Sequence, residues 1–338
     1  MGEASDGTTE HFDVLIVGAG VSGIGSAVHL RTQRPGTSFA VLEMKESFGG
    51  TWVTHRYPGT RSDTDLYTYG YRFKPWTGAP LATAAEIRSY LAEIIVEHDL
   101  ARHIRYRHRI VCAGWSSTEK RWTVEAELPD GGGMRKFTCG FLWMCQGYYR
   151  HDAGYTPDWP NMHDYAGRLV HPQTWPEDLD LRGRRVVVIG SGATAATLIP
   201  AIAESCAHVT MLQRTPTYYR IGRNAVPIAD ELRALGIDER WIHEIVRRRI
   251  LADVHAFHHR IRAEPETVRA ELIAAIRRHI SSDAFVAEHF SPAYRPWQQR
   301  MVFVPDADIF RQIERGRVDV VTDSIERFER TGIRTKSG

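Results

Sequence analysis

Cysteine is scarce in this 338-residue chain: Cys112, Cys139, Cys145 and Cys206, none spaced as C-x-x-C. That argues against a redox-active dithiol or a disulfide framework, and all four are expected to be buried thiols of a reducing compartment. Metal-binding patterns are missing as well. His255, His258 and His259 stand near one another, but no acidic or cysteine ligands converge with them, so no metal is expected. No apolar run approaches the ~20 residues of a membrane span. Residues 1–10 are polar and acidic and lack an apolar signal core, which favours the cytoplasm. The net charge of +2 is too small to imply a nucleic-acid partner.

What is present suits a soluble α/β protein. Hydrophobic content of 43% and charged content of 25% are ordinary, and the length predicts about two domains. Residues 12–17 (FDVLIV) form a short apolar run that meets GAGVSG, so Gly18, Gly20 and Gly23 fit G-x-G-x-x-G. A helical stretch follows over 24–34, then a strand over 39–42 that ends at Glu43. Glycines let backbone approach a pyrophosphate, a helix N-terminus stabilises its charge, and the acid accepts from a ribose hydroxyl. Next comes Gly49-Gly50-Thr51-Trp52, where paired glycines suit a chain passing close to a ligand and Trp52 offers a flat face to a ring system. A core tryptophan beside a turn is the plain alternative. Residues 56–73 are crowded with tyrosine, arginine and aspartate around a Pro58-Gly59 turn, as in a ligand wall. A turn cap is the plain alternative for Asp63 and, more so, for Asp65.

Residues 84–99 carry Ile87, Tyr90, Leu91, Ile94 and Ile95 at helical spacing, which is core packing. Residues 104–110 and 121–128 alternate like half-buried strands, a hairpin turns at 129–133, and 135–139 returns. Residues 141–145 read as a separate, fully apolar strand. A second nucleotide motif follows later. The buried strand 184–189 runs into GSGATA, with Gly190, Gly192 and Ala195 matching G-x-G-x-x-A around Ser191 and Thr194. A helix to about 204 leads to the strand 208–212, which ends in Gln213-Arg214-Thr215 instead of an acid. A basic residue there suits the 2′-phosphate of NADP, which a carboxylate would repel; a plain surface charge is the alternative reading of Arg214. One acid-ended and one arginine-ended unit imply FAD first and NADPH second. Residues 229–290 read as a helical insertion with a solvated basic face; a peripheral contact with acidic lipid headgroups is the minority reading. Residues 318–322 are a late strand.

Between the two motifs lies YAGRLVHPQTWP, residues 165–176. Together with the glycine motifs, residues 49–52 and RYPGTRSD (56–63), it resembles the flavin-dependent Baeyer–Villiger monooxygenases. Tyr165 stands where the family fingerprint has Phe, while Gly167, His171, Trp175 and Pro176 match. The resemblance runs from about residue 13 to 338. It implies that Gly18, Gly20, Gly23, Glu43, Gly50, Thr51, Trp52 and Asp63 form the FAD pocket, and that Gly190, Ser191, Gly192, Thr194, Arg214 and Thr215 hold NADPH. Arg300 matches the family's active-site arginine, with Asp63 as its acid partner, and His171 a hinge residue. Many relatives carry lysine before that arginine; here it is Gln299, leaving Arg214 to carry more of the NADPH preference.

The implied fold is two Rossmann-like dinucleotide-binding domains: FAD over 1–150, a linker over 151–176, and NADPH over 177–330 with the helical insertion. Residues 331–338 would begin a return to the first domain. Family members continue beyond this point with a further strand and a C-terminal part, so the first sheet is expected to lack a piece and to expose an edge. The implied activity is insertion of oxygen beside a ketone carbonyl, or oxygenation of a sulfide or thiocarbonyl sulfur, through a peroxyflavin, using NADPH and O2. An N-hydroxylating flavin monooxygenase and an inert nucleotide-binding remnant are the alternatives.

Overall fold

The computed structural model describes residues 9–338. Residues 1–8, which carry most of the polar start used to argue against a signal segment, lie outside the described residues. The chain divides into two compact units: 1–55 with 84–152, and 56–83 with 153–338.

In the first unit β1 (Glu10–Val17) leads into α1 (Val21–Gln33) and β2 (Phe39–Leu42). Leu15, Ile16 and all of β2 are buried, as expected for parallel strands covered on both faces. A single turn, α2 (Thr51–Thr54), follows. The chain then leaves this unit for residues 56–83, which carry the single turn α3 (Leu66–Tyr69). It returns with α4 (Ala84–Glu97), whose Ile87, Tyr90, Leu91, Ile94 and Ile95 are buried at helical spacing. Then come β3 (Ile104–Arg105), β4 (Arg109–Ser116), β5 (Arg121–Glu127) and β6 (Met134–Met144). They make one sheet in the order β3-β2-β1-β6-β5-β4. Strands β3, β2, β1 and β6 are parallel, and β5 and β4 are antiparallel to their neighbours.

The sequence differs from this unit in three ways. Residues 104–110 are two strands, because Arg107 takes φ +61° and redirects the chain. Residues 134–144 are one strand, because β1 pairs with β6 along nearly its whole length. The β5 pairing stops at Cys139, and beyond it the apolar Phe141 and Met144 are more than half exposed. Nor are all four thiols buried: Cys139 and Cys206 are, Cys145 is half-buried and Cys112 is exposed on β4.

The second unit is built on β7 (Arg185–Ile189), α5 (Ala193–Ile202) and β8 (His208–Gln213). Next are β9 (Tyr219–Gly222) and the helices α6 (Pro227–Ala234), α7 (Glu239–Ala263), α8 (Pro265–Arg277) and α9 (Asp283–His289). The chain ends in β10 (Val302–Pro305), α10 (Asp308–Glu314), β11 (Val318–Thr322), β12 (Ile325–Glu329) and β13 (Gly332–Thr335). A parallel sheet runs β11-β8-β7, β10 pairs parallel with β9, and β12 and β13 form a hairpin. Ile199, Val209, Met211, Tyr219, Phe290 and Phe310 are central to its core.

Residues 56–83 belong to this second unit, although the sequence places them in the first domain. Leu81 exchanges two hydrogen bonds with the Asn224 amide, at 2.8 and 3.1 Å. The Arg247 guanidinium donates to the Tyr67 and Thr68 carbonyls at 3.0 and 2.8 Å. The Trp76 N–H donates to His243 Nδ1 at 3.1 Å.

Candidate functional site

The first glycine turn closes β1 onto α1. A Cβ at Gly23 would overlap the Gly18 carbonyl oxygen, so only glycine lets the helix start this close to the strand. No side chain caps the N-terminus of α1. Its polar end is left for an outside anion. Glu43 is 5% exposed and braces the turn: one carboxylate oxygen accepts from the Ala19 N–H at 2.7 Å, the other from the Lys45 N–H at 2.9 Å. Each oxygen keeps a lone pair, so Glu43 retains acceptor capacity for a ribose hydroxyl. The neighbouring surface is backbone. The Gly49 N–H donates to the Ala19 carbonyl at 2.9 Å, and a Cβ on Gly50 would come within 3.1 Å of the Gly20 Cα. Half-buried Thr51 and Trp52 follow at the start of α2. Gly18, Gly20, Gly23, Glu43, Gly50, Thr51 and Trp52 thus lie in one unit around one uncapped helix end. A glycine-floored turn with an acid at its rim fits a dinucleotide.

The second turn is more open. A Cβ at Gly190 or Gly192 would meet no other atom within 4 Å, which leaves a cradle in front of the N-terminus of α5. Gly192 occupies the N-cap position without a side-chain cap. Tyr219 is fully buried on β9, and its hydroxyl donates to the Ser191 carbonyl at 3.0 Å. Burial pushes its pKa up strongly, so it remains a donor. Thr194 is exposed on the first turn of α5, and the buried Tyr57 packs in the core cluster that includes its neighbour Ala195.

Gln213, 1% exposed, donates to the His289 carbonyl at 2.7 Å and to the Thr322 hydroxyl at 2.9 Å, which fixes the end of β8. Arg214 and Thr215 leave from that end and are exposed. Arg214 makes no ion pair among the described residues, so its guanidinium is available to a phosphate. The Gly190 N–H donates to the Leu212 carbonyl at 2.8 Å, so Arg214 emerges two residues from the glycine turn. These residues fit a second dinucleotide with a phosphate on its ribose.

Asp63 and Arg300 also meet in the second unit: the Arg300 guanidinium donates to the Asp63 carboxylate. Arg300 lies two residues before the start of β10, and its side chain is 67% exposed. It is a fixed cation open to solvent. Asp65 is a plain cap, accepting from the Thr68 N–H at 2.8 Å. Between Tyr57 and Asp63, Arg61 pairs with Asp308 at 2.7 Å. Burial raises the Asp308 pKa, and Arg61 opposes the rise.

Residues 165–176 count with the second unit as well. The Ala166 N–H donates to the Arg330 carbonyl at 2.9 Å, and the Tyr165 ring meets Phe328 edge-on at 6.0 Å. His171 Nδ1 accepts from the Gln173 N–H at 3.1 Å, its ring fills the space a Cβ on Gly154 would need, and Trp175 packs on the core. A Cβ on Gly167 would overlap the Tyr165 ring. The stretch is a braced connector and holds no exposed acid–base group of its own. A pocket of about 290 Å3, lined by Arg61, Thr197, Asp308 and Gln312 among others, contains none of the glycine-turn residues and is separate from this site. Among the described residues no His/Cys/Asp/Glu group could hold a metal ion.

A model of the pyridine nucleotide-disulphide oxidoreductase family matches residues 12–276. The FAD-containing monooxygenase EthA of Mycobacterium tuberculosis is 46% identical over 337 residues, covering 98% of this chain and 67% of that protein. The chain belongs to the FAD-containing monooxygenases. The probable FAD-binding monooxygenase AlmA of an Acinetobacter species is 43% identical over 328 residues, covering 96% of this chain and 65% of its own length. Among solved structures, an oxidised steroid monooxygenase bound to NADP superposes with a TM-score of 0.78 at 26% identity, covering 97% of this chain and 68% of that one. The chain thus spans about two thirds of the length of these relatives. The disulphide-oxidoreductase model is met by the fold, while C-x-x-C is absent from the sequence.

Tyr219 and Gln213 are parts of the site that the motifs do not reveal. Their only signal in sequence is a buried-type polar residue near a motif, as in QRT.

Proposed function

We propose that the chain binds FAD at the turn of Gly18, Gly20 and Gly23 and NADPH at the turn of Gly190, Ser191 and Gly192, as an NADPH- and O2-dependent monooxygenase. The observation that carries this reading is the Arg300 guanidinium, exposed and held by Asp63, in the same unit as the uncapped α5 and Arg214. The substrate class is a ketone, converted to an ester or lactone, or a sulfide or thiocarbonyl oxygenated at sulfur.

When bound, NADPH supplies a hydride and FAD the capacity to activate oxygen. The protein's own groups bind and orient. The N-terminus of α1 receives the FAD pyrophosphate, Glu43 the ribose, and Gly50, Thr51 and Trp52 line the adjoining groove. The N-terminus of α5, Thr194 and Thr215 receive the NADPH phosphates, with Arg214 on the 2′-phosphate. Arg300 stabilises negative charge on the reacting oxygen, as a preorganised cation does, and Asp63 fixes its position. His171, braced within the connector, couples movement of that segment to nucleotide binding.

Among the described residues no helix is long and apolar enough to cross a membrane. The finer location we propose is cytoplasmic. Exposed Trp241 and Leu251 beside Arg240 and Arg248 on α7 support a reversible contact with anionic lipid. The functional reading is tested by adding NADPH, without oxygen, to protein loaded with FAD. Loss of the oxidised flavin absorbance is expected, with NADH far less effective. A protein that retains no flavin, or a flavin that NADPH leaves oxidised, overturns it.

A further inference from the structure

Strands β9 and β10 pair from Tyr219 and Val302 onward, so Arg300 stands just outside the pairing, and the helices α6 to α9 separate the two strands along the chain. Asp63 holds only the Arg300 side chain, in a largely exposed pair. The backbone beside it is fastened by two tyrosines. The Tyr218 hydroxyl donates to the Tyr294 carbonyl at 2.7 Å, and the Tyr294 hydroxyl donates back to the Pro216 carbonyl at 3.4 Å. Their rings meet edge-on at 5.3 Å. The Val302 N–H donates to the Tyr218 carbonyl at 2.9 Å. Met301, 7% exposed, joins Tyr218 in a core cluster with Ile261 of α7 and Val268 and Leu272 of α8. Between these fastenings the loop braces itself: the Gln298 N–H donates to the Arg295 carbonyl at 3.0 Å, and the Arg295 N–H to Gln298 Oε1 at 3.3 Å. The Trp297 ring lies 4.7 Å from the His258 ring of α7.

We propose that Tyr218 is a positioning residue for Arg300: with Tyr294 it locks the loop that carries Arg300 to the segment that leaves Arg214 and Thr215. The inference rests on the reading of those two residues as nucleotide ligands and of Arg300 as the cation of the reaction.

Burial gives these bonds their weight. Tyr218 is 1% exposed, and burial raises its pKa, so the phenol stays a donor where water competes little for the Tyr294 carbonyl. The Asp63–Arg300 pair is wet and screened, and it fixes the guanidinium only if the backbone behind it stands still. Pro216 directly follows Thr215. The tyrosine pair thus sets the residues for the nucleotide phosphates and the cation for the reacting oxygen in fixed register, although the two segments are far apart in sequence. A misplacement of about 1 Å between such groups can cost about 100-fold in rate.

Tyr218→Phe keeps the ring in its cluster and deletes the one proton that fastens Tyr294. Two measurements on FAD-loaded protein test the proposal. The rate at which NADPH bleaches the flavin without oxygen reads the nucleotide site alone. Product formed per NADPH in air, from a cyclic ketone or a sulfide, reads Arg300. Tyr218→Phe is expected to keep the bleaching rate and the KM for NADPH within about twofold of wild type and to lower product per NADPH about 3- to 10-fold, the remaining electron pairs passing to O2 as hydrogen peroxide. Tyr294→Phe, which loses only the longer bond, should lower it about twofold. In an Asp63→Asn background, where Arg300 is already loose, adding Tyr218→Phe should cost no more than about twofold further. Wild-type product yield in Tyr218→Phe overturns the proposal and leaves the site reading intact. So does a loss that multiplies in the double variant, or bleaching that slows in step with the lost product, as a merely structural role would give. A wild-type protein that forms no product overturns the reading of Arg300, and the proposal with it.

Discussion

Replacing Asp63 by Asn separates what the Asp63–Arg300 pair does for the fold from what it does for the reaction. The substitution keeps size and one acceptor oxygen but removes the charge that holds the guanidinium. The Arg300 side chain is 67% exposed and that of Asp63 32%. An ion pair this wet contributes about 0–1 kcal/mol, because water screens the attraction and ordering two side chains offsets it. The melting temperature should therefore fall by no more than about 2 °C. Flavin and NADPH binding should persist, since neither glycine turn is altered. Turnover should drop far more, by about 100- to 1,000-fold, because a cation that wanders no longer meets the charge developing on the reacting oxygen. Thermal unfolding followed by circular dichroism gives the first number, and ester or sulfoxide formation per NADPH consumed gives the second. Unchanged product formation would refute the reasoning. A melting temperature lowered by more than about 5 °C would also refute it, since the pair would then be structural.

Arg214→Ala should raise the KM for NADPH about 10- to 100-fold and leave that for NADH nearly unchanged, as loss of a charge-assisted phosphate contact implies; parallel changes would remove Arg214 from the 2′-phosphate. His171→Ala should retain FAD but consume NADPH without matching product, measured as the ratio of product to NADPH; loss of FAD alone would show that His171 does not act as a hinge. His243 is 2% exposed, and its pKa is lowered, chiefly by burial, from the usual value of about 6.5. Its neutral ring accepts from the Trp76 N–H. Stability from this group is thus fully present above pH ~6.5 and is lost as pH falls through the lower folded value, at up to about 1.4 kcal/mol per pH unit. His243→Gln should flatten that acid limb in urea unfolding, and an unaltered slope would assign it elsewhere.

Both glycine turns were legible because the constraint is local. Gly23 is dictated by the Gly18 carbonyl a few residues away, and β2 and β11 match the expected 39–42 and 318–322 residue for residue. The acid at the end of β2 and the arginine after β8 were also readable, since each follows directly from a strand end. Long-range pairing was not. Residues 56–83 look continuous with the first domain in sequence, yet Asn224 and Arg247, far along the chain, hold their backbone. Residues 134–144 read as two strands because Gly140 interrupts the pattern, while the partner β1 continues past it. Residues 184–189 read as a buried strand because they are apolar, yet Val187 and Ile189 of β7 are exposed. Tyr219 could not be assigned either, because the Ser191 carbonyl that its hydroxyl meets lies 28 positions away.

The central claim is that the chain couples NADPH and O2 to oxygenation of an organic substrate. Turnover of a simple cyclic ketone under isotope-labelled O2, with NADPH oxidation recorded alongside, tests it most directly. One labelled oxygen in the lactone for each NADPH oxidised is the predicted result. NADPH consumed to yield only hydrogen peroxide or water, with no labelled lactone and no labelled sulfoxide from a sulfide offered in its place, would contradict it.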